Sequence, residues 1–415
     1  GYTDQEGFFK SKAMDYNRYN LRANLNAEVA KNLKASIKIN GIIDSKQRQY
    51  LSTWEVYKAL WRASPNEKLY ANDNPEYFQK MSSDQLNLLA ATDPDVFGYN
   101  KTTNKIFQST MELEYAVPFV KGLKVKGMFS YDTSIADNTI YKKEYNEYTY
   151  SEATDTYTAM QSPTNLERYY GNSWTTLWQA SVSYENTFAS SHNVSGLLLF
   201  EEAHSVGDNI RAARDFSIPL PYLFAGNSAN QLGTANANGL TESASQALVG
   251  RFNYDYKGRY LLEFAFRYDG SSKFPSHSRW GFFPSASVGW RMSEESFIKD
   301  KLPFINNLKL RGSYGKMGDD SVADYQFISG YDYPNTDGDR YNKTPKGYFF
   351  NGSFMNSLGF RAVANPNITW YTVKTLNVGI DADLWNGLLG VSFDLFQRDR
   401  DNLMANRIAT IPGTF

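Results

Sequence analysis

The stretch RWGFFPSASVGWRMS, Arg279 to Ser293, constrains the fold more than any other part of the chain. Its even positions, Trp280, Phe282, Pro284, Ala286, Val288, Trp290 and Met292, are apolar, and its odd positions are small or polar apart from Phe283. Successive side chains of a strand point to opposite faces, so this pattern makes a β-strand with one face in an apolar medium. Strands of soluble proteins run about 5–6 residues, and a soluble core seldom asks for alternation this long. From Trp280 to Trp290 is about 33 Å at roughly 3.3 Å per residue. Tilted by about 40°, that span projects to around 25 Å, the height of the apolar band of a membrane barrel between its aromatic girdles. The even face is therefore expected to meet lipid and the odd face a wet lumen. Pro284 cannot donate to a ladder, and a bulge is expected there.

The same alternation recurs from end to end. YNLRANLNAEV sets Tyr19, Leu21, Ala23, Leu25, Ala27 and Val29 against Asn20, Arg22, Asn24, Asn26 and Glu28. LKASIKIN, LKVKGMFSYD, LWQASVSYE, RFNYDY, YLLEFAFRYD, LKLRGSYG, TLNVGIDADLW and GVSFDLF continue the series. Together they predict about twelve strands. Leu262, Phe264, Phe266, Trp280, Val288 and Trp290 are expected on the lipid side, with Val288 near the bilayer centre. Glu263, Arg267, Ser287 and Arg291 are expected toward the lumen. Short turns at 30–32, 119–122, 189–193, 257–259 and 386–387 alternate with long polar loops at roughly 45–105, 132–167, 207–245 and 318–367. That rhythm belongs to a transmembrane β-barrel, not to a β-sandwich with its evenly spaced turns. The connection at 293–307 falls on the short side and predicts one helical turn with Ser293 as N-cap.

Composition excludes several functions. The chain has 415 residues with no composition break or linker, 8 Trp, 30 Tyr, 27 Phe and no cysteine, so neither a disulfide framework nor a Cys-based metal site exists within it. With 43 basic and 44 acidic residues, nothing electrostatic points to nucleic acid. No apolar run approaches the 18 or so residues of a membrane helix. GYTDQEGFFK lacks the basic and apolar regions of a leader, so either one has been removed or the sequence begins partway through a larger protein.

Chemistry-bearing motifs are scarce. The three histidines, His192, His204 and His277, lie far apart, and no HExxH, nucleophile elbow or phosphate loop appears. An enzymatic barrel needs a nucleophile–base pair that these residues do not supply, so no catalytic residue is assigned. EEAH at 201–204 reads as a solvated strand end before a ligand cluster. NTDGDR at 335–340 has carboxylates around a glycine and could hold Ca²⁺ in an outer loop, but it lacks the remaining EF-hand positions and reads first as a polar turn. STWEVYKALWRASP at 52–65 predicts a short amphipathic helix with a Ser52–Glu55 capping box. Its Trp54 and Trp61, and the loop tyrosines Tyr331 and Tyr333, are candidates for stacking on cargo, though packing of the helix aromatics against the loop interior is the blander expectation. A passive porin and a soluble carbohydrate-binding β-protein remain as alternatives on the residues alone.

Three segments carry a family resemblance. YLLEFAFRYDGSSKFPSHSRWGFFPSASVGWRMSEESF (260–297), LKLRGSYGKMG (308–318) and NPNITWYTVKTLNVGIDADLWNG (365–387) resemble barrel hallmarks of SusC/RagA-type, TonB-dependent outer-membrane transporters. The opening GYTDQEGFFKSKAMDYNRYNLRANLNAEV is similar to an earlier part of that barrel. The resemblance implies a barrel of about 22 strands around an N-terminal plug. It also implies import of oligosaccharides or peptides energised through TonB, in the outer membrane of a Gram-negative, Bacteroidota-like bacterium. A SusD-like surface lipoprotein would act as a lid. No plug domain, TonB box or leader is recognisable in residues 1–415, so the chain is expected to be a partial barrel, the middle of such a transporter. Aromatic clusters such as Tyr331, Tyr333, Tyr348, Phe349 and Phe350 would serve either the lid contact or loop packing.

Overall fold

In the computed structural model the described residues are 1–7, 14–81, 87–162, 164–216, 220–235, 239–332, 347–356, 359–360 and 363–404. The alternating segments become thirteen strands that follow chain order: β1 (Tyr2–Glu6), β2 (Asp15–Ala30), β3 (Leu33–Gln49), β4 (Gly98–Ala116), β5 (Leu123–Lys142), β6 (Thr164–Phe188), β7 (His192–Phe216), β8 (Thr241–Tyr256), β9 (Tyr260–Ser271), β10 (Trp280–Arg291), β11 (Ile305–Asp319), β12 (Tyr371–Leu384) and β13 (Leu389–Asp401). Each pairs antiparallel with the next, and Asn227–Thr234 adds a fourteenth strand against β7. Among the described residues the sheet is an open path ending at β1 and β13.

Register joins the individual alternations into two continuous faces. Phe252 lies opposite Phe264, Phe264 opposite Ala286, Ala286 opposite Tyr314, and Tyr314 opposite Leu376. On the other face Asn253, Glu263, Ser287, Ser313 and Asn377 form the matching row. The orientation expected from sequence is thus realised: Leu262, Phe264, Phe266, Trp280, Val288 and Trp290 share one face, and Glu263, Arg267, Ser287 and Arg291 the other. Val288 is not central, however. It lies two residues from the girdle residue Trp290 and eight from Trp280, so Ala286 and Pro284 straddle the middle of the band.

Strand directions alternate strictly, so the turns at 31–32, 117–122, 189–191, 257–259 and 385–388 share one end with the 292–304 connection, and the connections at 50–97, 143–163, 217–240, 272–279 and 320–370 fall at the other. At the short-turn end Lys257 and Gly258 both take positive φ, 55° and 66°, the left-handed conformation that lets the three-residue turn between the paired Tyr256 and Tyr260 follow the strand twist. The 292–304 connection differs from expectation. Ser293 is buried inside a 3₁₀ turn (Met292–Glu294), and the helix Ser296–Lys299 begins at Glu295 with no side-chain cap. The Glu295 carboxylate is drawn off instead, accepting from Tyr260 Oη (2.7 Å) and Trp290 Nε1 (3.2 Å) and pairing with Arg259 (3.2 Å).

The long-loop end also differs. Regions assigned to loops carry strand well beyond the apolar band: β3 reaches Gln49, β5 reaches Lys142, and β6 and β7 have 25 residues each. At about 3.3 Å per residue and 40° of tilt they rise roughly 60 Å, against about 25 Å of band. The ladder needs no apolar face where both sides meet water, so periodicity does not reveal these extensions. The buried core lies at this end too. One cluster joins Tyr141, Leu166 and Phe216; another joins Phe274, Phe283, Ile368 and Trp370.

Pro284 does not create a bulge. The β9–β10 register runs unbroken from Tyr260–Trp290 to Gly270–Trp280, through Phe266–Pro284. The β10–β11 ladder instead spans only Ser285 to Arg291 and stops at the proline, which has no N–H to give. Past that point β10 and β11 part company.

Candidate functional site

The polar face is wired by ion pairs between neighbouring strands. Glu112 bridges Lys38 and Lys126, both at 2.9 Å. Arg251 meets Glu263 at 2.5 Å, and Arg267 meets Asp269 at 2.9 Å and Glu201 at 3.7 Å. Arg311 holds Asp381 (2.9 Å) and Asp394 (2.6 Å). Every one of these residues lies on the face opposite the apolar rows. Half-exposed pairs contribute about 0–1 kcal/mol each, so their value lies in register and in keeping the face wet. Signs alternate along the wall. A selective ion pore would instead carry rings of one sign.

Where β10 and β11 separate, residues of the three resemblance segments converge. Phe283 turns into the gap against Trp370 (ring centroids 5.2 Å), and Trp370 also meets Phe274 (5.1 Å). Trp370 Nε1 donates to the Arg279 carbonyl at 3.1 Å, Ser278 Oγ to the Ile368 carbonyl at 2.8 Å, and Ser271 Oγ to Asp320 at 2.8 Å. Lys316 Nζ stands 5.8 Å from the Phe283 ring centre. Gly281 and Gly318 are needed here because a Cβ at either would overlap that ring. These segments therefore form a clamp that closes the wall above the proline. Their role is architectural, and no periodicity or spacing in the chain signals that they meet.

The candidate cargo residues have mixed fates. Helix α1 (Thr53–Arg62) carries the expected Ser52–Glu55 capping box. It buries Val56 and Ala59, while Trp54, Tyr57 and Trp61 are 64, 46 and 77 % exposed. The aromatic stripe thus faces outward, contrary to the expectation that it packs inside the loop. Small residues suffice for the shallow seat beneath α1, and the rings pack along one another, Trp54 stacked on Tyr57 at 5.9 Å and Tyr57 tilted against Trp61 at 5.5 Å. Tyr331 pairs with Phe360 in a short ladder and stays 61 % exposed. Tyr333 and the 335–340 segment weighed for Ca²⁺ lie outside the described residues. EEAH is divided among partners: Glu201 faces Arg267, Glu202 accepts from Gln246, and His204 meets Glu242. Among the described residues no three His, Cys, Asp or Glu side chains are grouped as a metal site.

Sequence reasoning missed a tyrosine cluster that ties two long connections together. Tyr77 stacks on Tyr157 (4.3 Å) and meets Tyr148 edge-on (4.7 Å), and Tyr157 touches Tyr150 (4.9 Å). Tyr148–Tyr157 belongs to a hairpin, Tyr145–Ser151 with Thr156–Ser162, to which residues 78–80 hydrogen-bond. The alternation in YNEYTY was the available signal. Burial, then Glu147, pushes the Tyr145 hydroxyl well above the usual tyrosine range, so it stays protonated.

Comparison with known proteins places this wall. Residues 40–415 match the family described as TonB dependent receptor-like, beta-barrel. A TonB-dependent receptor of Formosa agariphila is 26 % identical over 98 % of this chain and 36 % of its own length. The TonB-dependent receptor SusC of Bacteroides thetaiotaomicron is 25 % identical, over 100 % of this chain and 40 % of its own length. The chain thus spans well under half the length of these curated relatives. Among solved structures, the RagAB peptide transporter superposes with a TM-score of 0.71 at 17 % identity, covering 96 % of this chain and 42 % of that one.

Proposed function

The chain belongs to the TonB-dependent receptor-like β-barrel family, and on that premise we propose that it forms wall of an outer-membrane importer of large nutrients, oligosaccharides or peptides, energised through TonB. The observation that carries this reading is the two-faced sheet: a continuous apolar belt outside, and inside a wet wall of alternating, mutually paired charges. Such a wall offers many hydrogen-bond partners and no net field, which suits bulky polar cargo. The long-loop end is the cell exterior, and a SusD-like lipoprotein seats on it. In support, exposed rings collect there: Trp54, Trp61, Tyr348, Phe349 and Phe350. Peptide cargo draws support from the likeness to a peptide transporter, glycan cargo from the exposed indoles.

Uptake of labelled oligosaccharide and peptide mixtures by cells carrying the full-length protein, with and without TonB, tests the reading. Uptake should vanish without TonB. Undiminished uptake would make the barrel a passive channel.

A further inference from the structure

The short-turn end carries cations that neither the wall nor a cargo path uses. Four of its six connections hold lysine: Lys31 in 31–32, Lys121 in 117–122, Lys257 in 257–259, and Lys299 with Lys301 in 292–304. All five are exposed. Lys299 pairs with Glu294 at 3.1 Å. Lys31, Lys121, Lys257 and Lys301 form no ion pair among the described residues. Nearby acids do not cancel them. Glu294 and Glu295 are taken up by Lys299, Arg291 and Arg259, and Asp255 accepts from the Gly258 N–H at 2.7 Å. Glu28 and Glu185 stand in wet-face rows, opposite Lys34 and Ser195. Asp300 alone is left against four free ammonium groups, a surplus of three positive charges at the turns.

Each free lysine also sits beside an apolar side chain at the lower edge of the belt. Val29 precedes Lys31, Phe119 precedes Lys121 and Phe297 precedes the 299–301 pair; all three apolar side chains are exposed, Phe119 by 84 %. Lys257 shows the direction. Its Nζ stands 5.2 Å from the Tyr256 ring centre, and Tyr256, Tyr260 and Trp290 stack in sequence on the apolar face, with centroids 6.3 and 6.5 Å apart. That ammonium therefore stands at the lipid-facing edge of the wall. An exposed ring beside a free ammonium is poorly served by water. It suits a membrane interface, where the ring enters the acyl boundary and the ammonium reaches the phosphate layer.

We propose that these lysines seat on the head groups of anionic glycerophospholipids, of the phosphatidylglycerol type, in the leaflet at the short-turn end. The apolar belt ends at Tyr260 and Trp290, and head groups begin where acyl chains end, so phosphates and lysine ammonium groups share one level. A zwitterionic lipid brings its own ammonium to that level and an anionic one does not. The surplus of positive charge therefore selects the anion. The inference rests on reading this wall as a membrane wall.

Electron spin resonance of the full-length protein in phosphatidylcholine vesicles tests it, with spin-labelled phosphatidylglycerol or phosphatidylethanolamine as probe. The immobilised fraction gives the association of each lipid with the wall. The expected result is a preference of about twofold or more for phosphatidylglycerol at low salt. It should fall to about one in roughly 1 M salt, where the Debye length is about 3 Å. A variant with Lys31→Gln, Lys121→Gln, Lys257→Gln and Lys301→Gln should lose the preference at low salt. One with Lys58→Gln, Lys68→Gln, Lys80→Gln and Lys143→Gln, in the long connections, should keep it. No preference in the wild type, or an unchanged one in the first variant, overturns the proposal. Equal loss in both variants would assign the effect to net charge and overturn it as well. Heat-modifiable migration of each variant reports folding. Immobilisation of neither lipid by the wild type would instead defeat the membrane reading itself.

Discussion

An arginine scan along β10 tests the two-faced wall most directly. Ala286 sits four residues above Trp290, about 13 Å along the strand and roughly 10 Å in projection, close to the middle of a band about 25 Å tall. It is exposed on the apolar face, between Phe264 and Tyr314. An arginine at bilayer mid-depth on a lipid-facing position costs about 2–4 kcal/mol, falling to about 0–1 near the interface. Ala286→Arg should therefore lose about 2–4 kcal/mol. Val288→Arg lies only about 5 Å from its girdle and should lose about 1–2. Ser287→Arg, between them in sequence but on the wet face beside Glu263 and Ser313, should change stability by about 0.5 kcal/mol or less. Urea titration of the full-length protein folded into lipid vesicles reads all three. The ordering 286, then 288, then 287 is the prediction. A Ser287→Arg loss equal to that of Ala286→Arg would refute the assignment of faces, and equal losses at 286 and 288 would refute the depth scale.

Three further perturbations probe the clamp, the short-turn end and the rim. Gly318→Ala pushes a methyl into the Phe283 ring and should cost about 1–3 kcal/mol, while Gly318→Ala with Phe283→Leu should recover part of that loss; strict additivity in the same titration would show that the two positions do not touch. The Tyr260 hydroxyl, the Trp290 indole and the Arg259 guanidinium hold the Glu295 carboxyl below the ordinary range for glutamate, about 4.3. Its contribution is therefore complete above about pH 4.3 and disappears as pH falls through the lower folded value. Hydrogen exchange of residues 292–299 should accelerate across that window in the wild type and show no such step in Glu295→Gln. Trp54→Ala and Trp61→Ala remove exposed rings and should move stability by about 0.5 kcal/mol or less. Each should weaken capture of the lipoprotein or cargo by about 2 kcal/mol if these rings are contact anchors; unchanged co-purification and uptake would leave them as surface.

The sequence by itself determined the two faces. Period-two alternation from Tyr19 to Phe396 assigns a side to each residue of the membrane band without reference to neighbours, because strand geometry leaves only two directions. Turn residues likewise marked the hairpins, since Lys257–Gly258 and Asn386–Gly387 supply the positive φ that tight turns need. Tertiary structure decided what depends on distant partners. The height of β6 and β7 above the membrane comes from ladder pairing, which polar residues sustain without any periodic trace. The effect of Pro284 depended on which neighbour its missing N–H would have served; register placed that loss on β11, so the wall parts instead of bulging. Whether Trp54 and Trp61 turned inward depended on the depth of the seat beneath α1. The meeting of Phe283 with Trp370 brings together residues 87 positions apart, a contact that only the folded sheet can make.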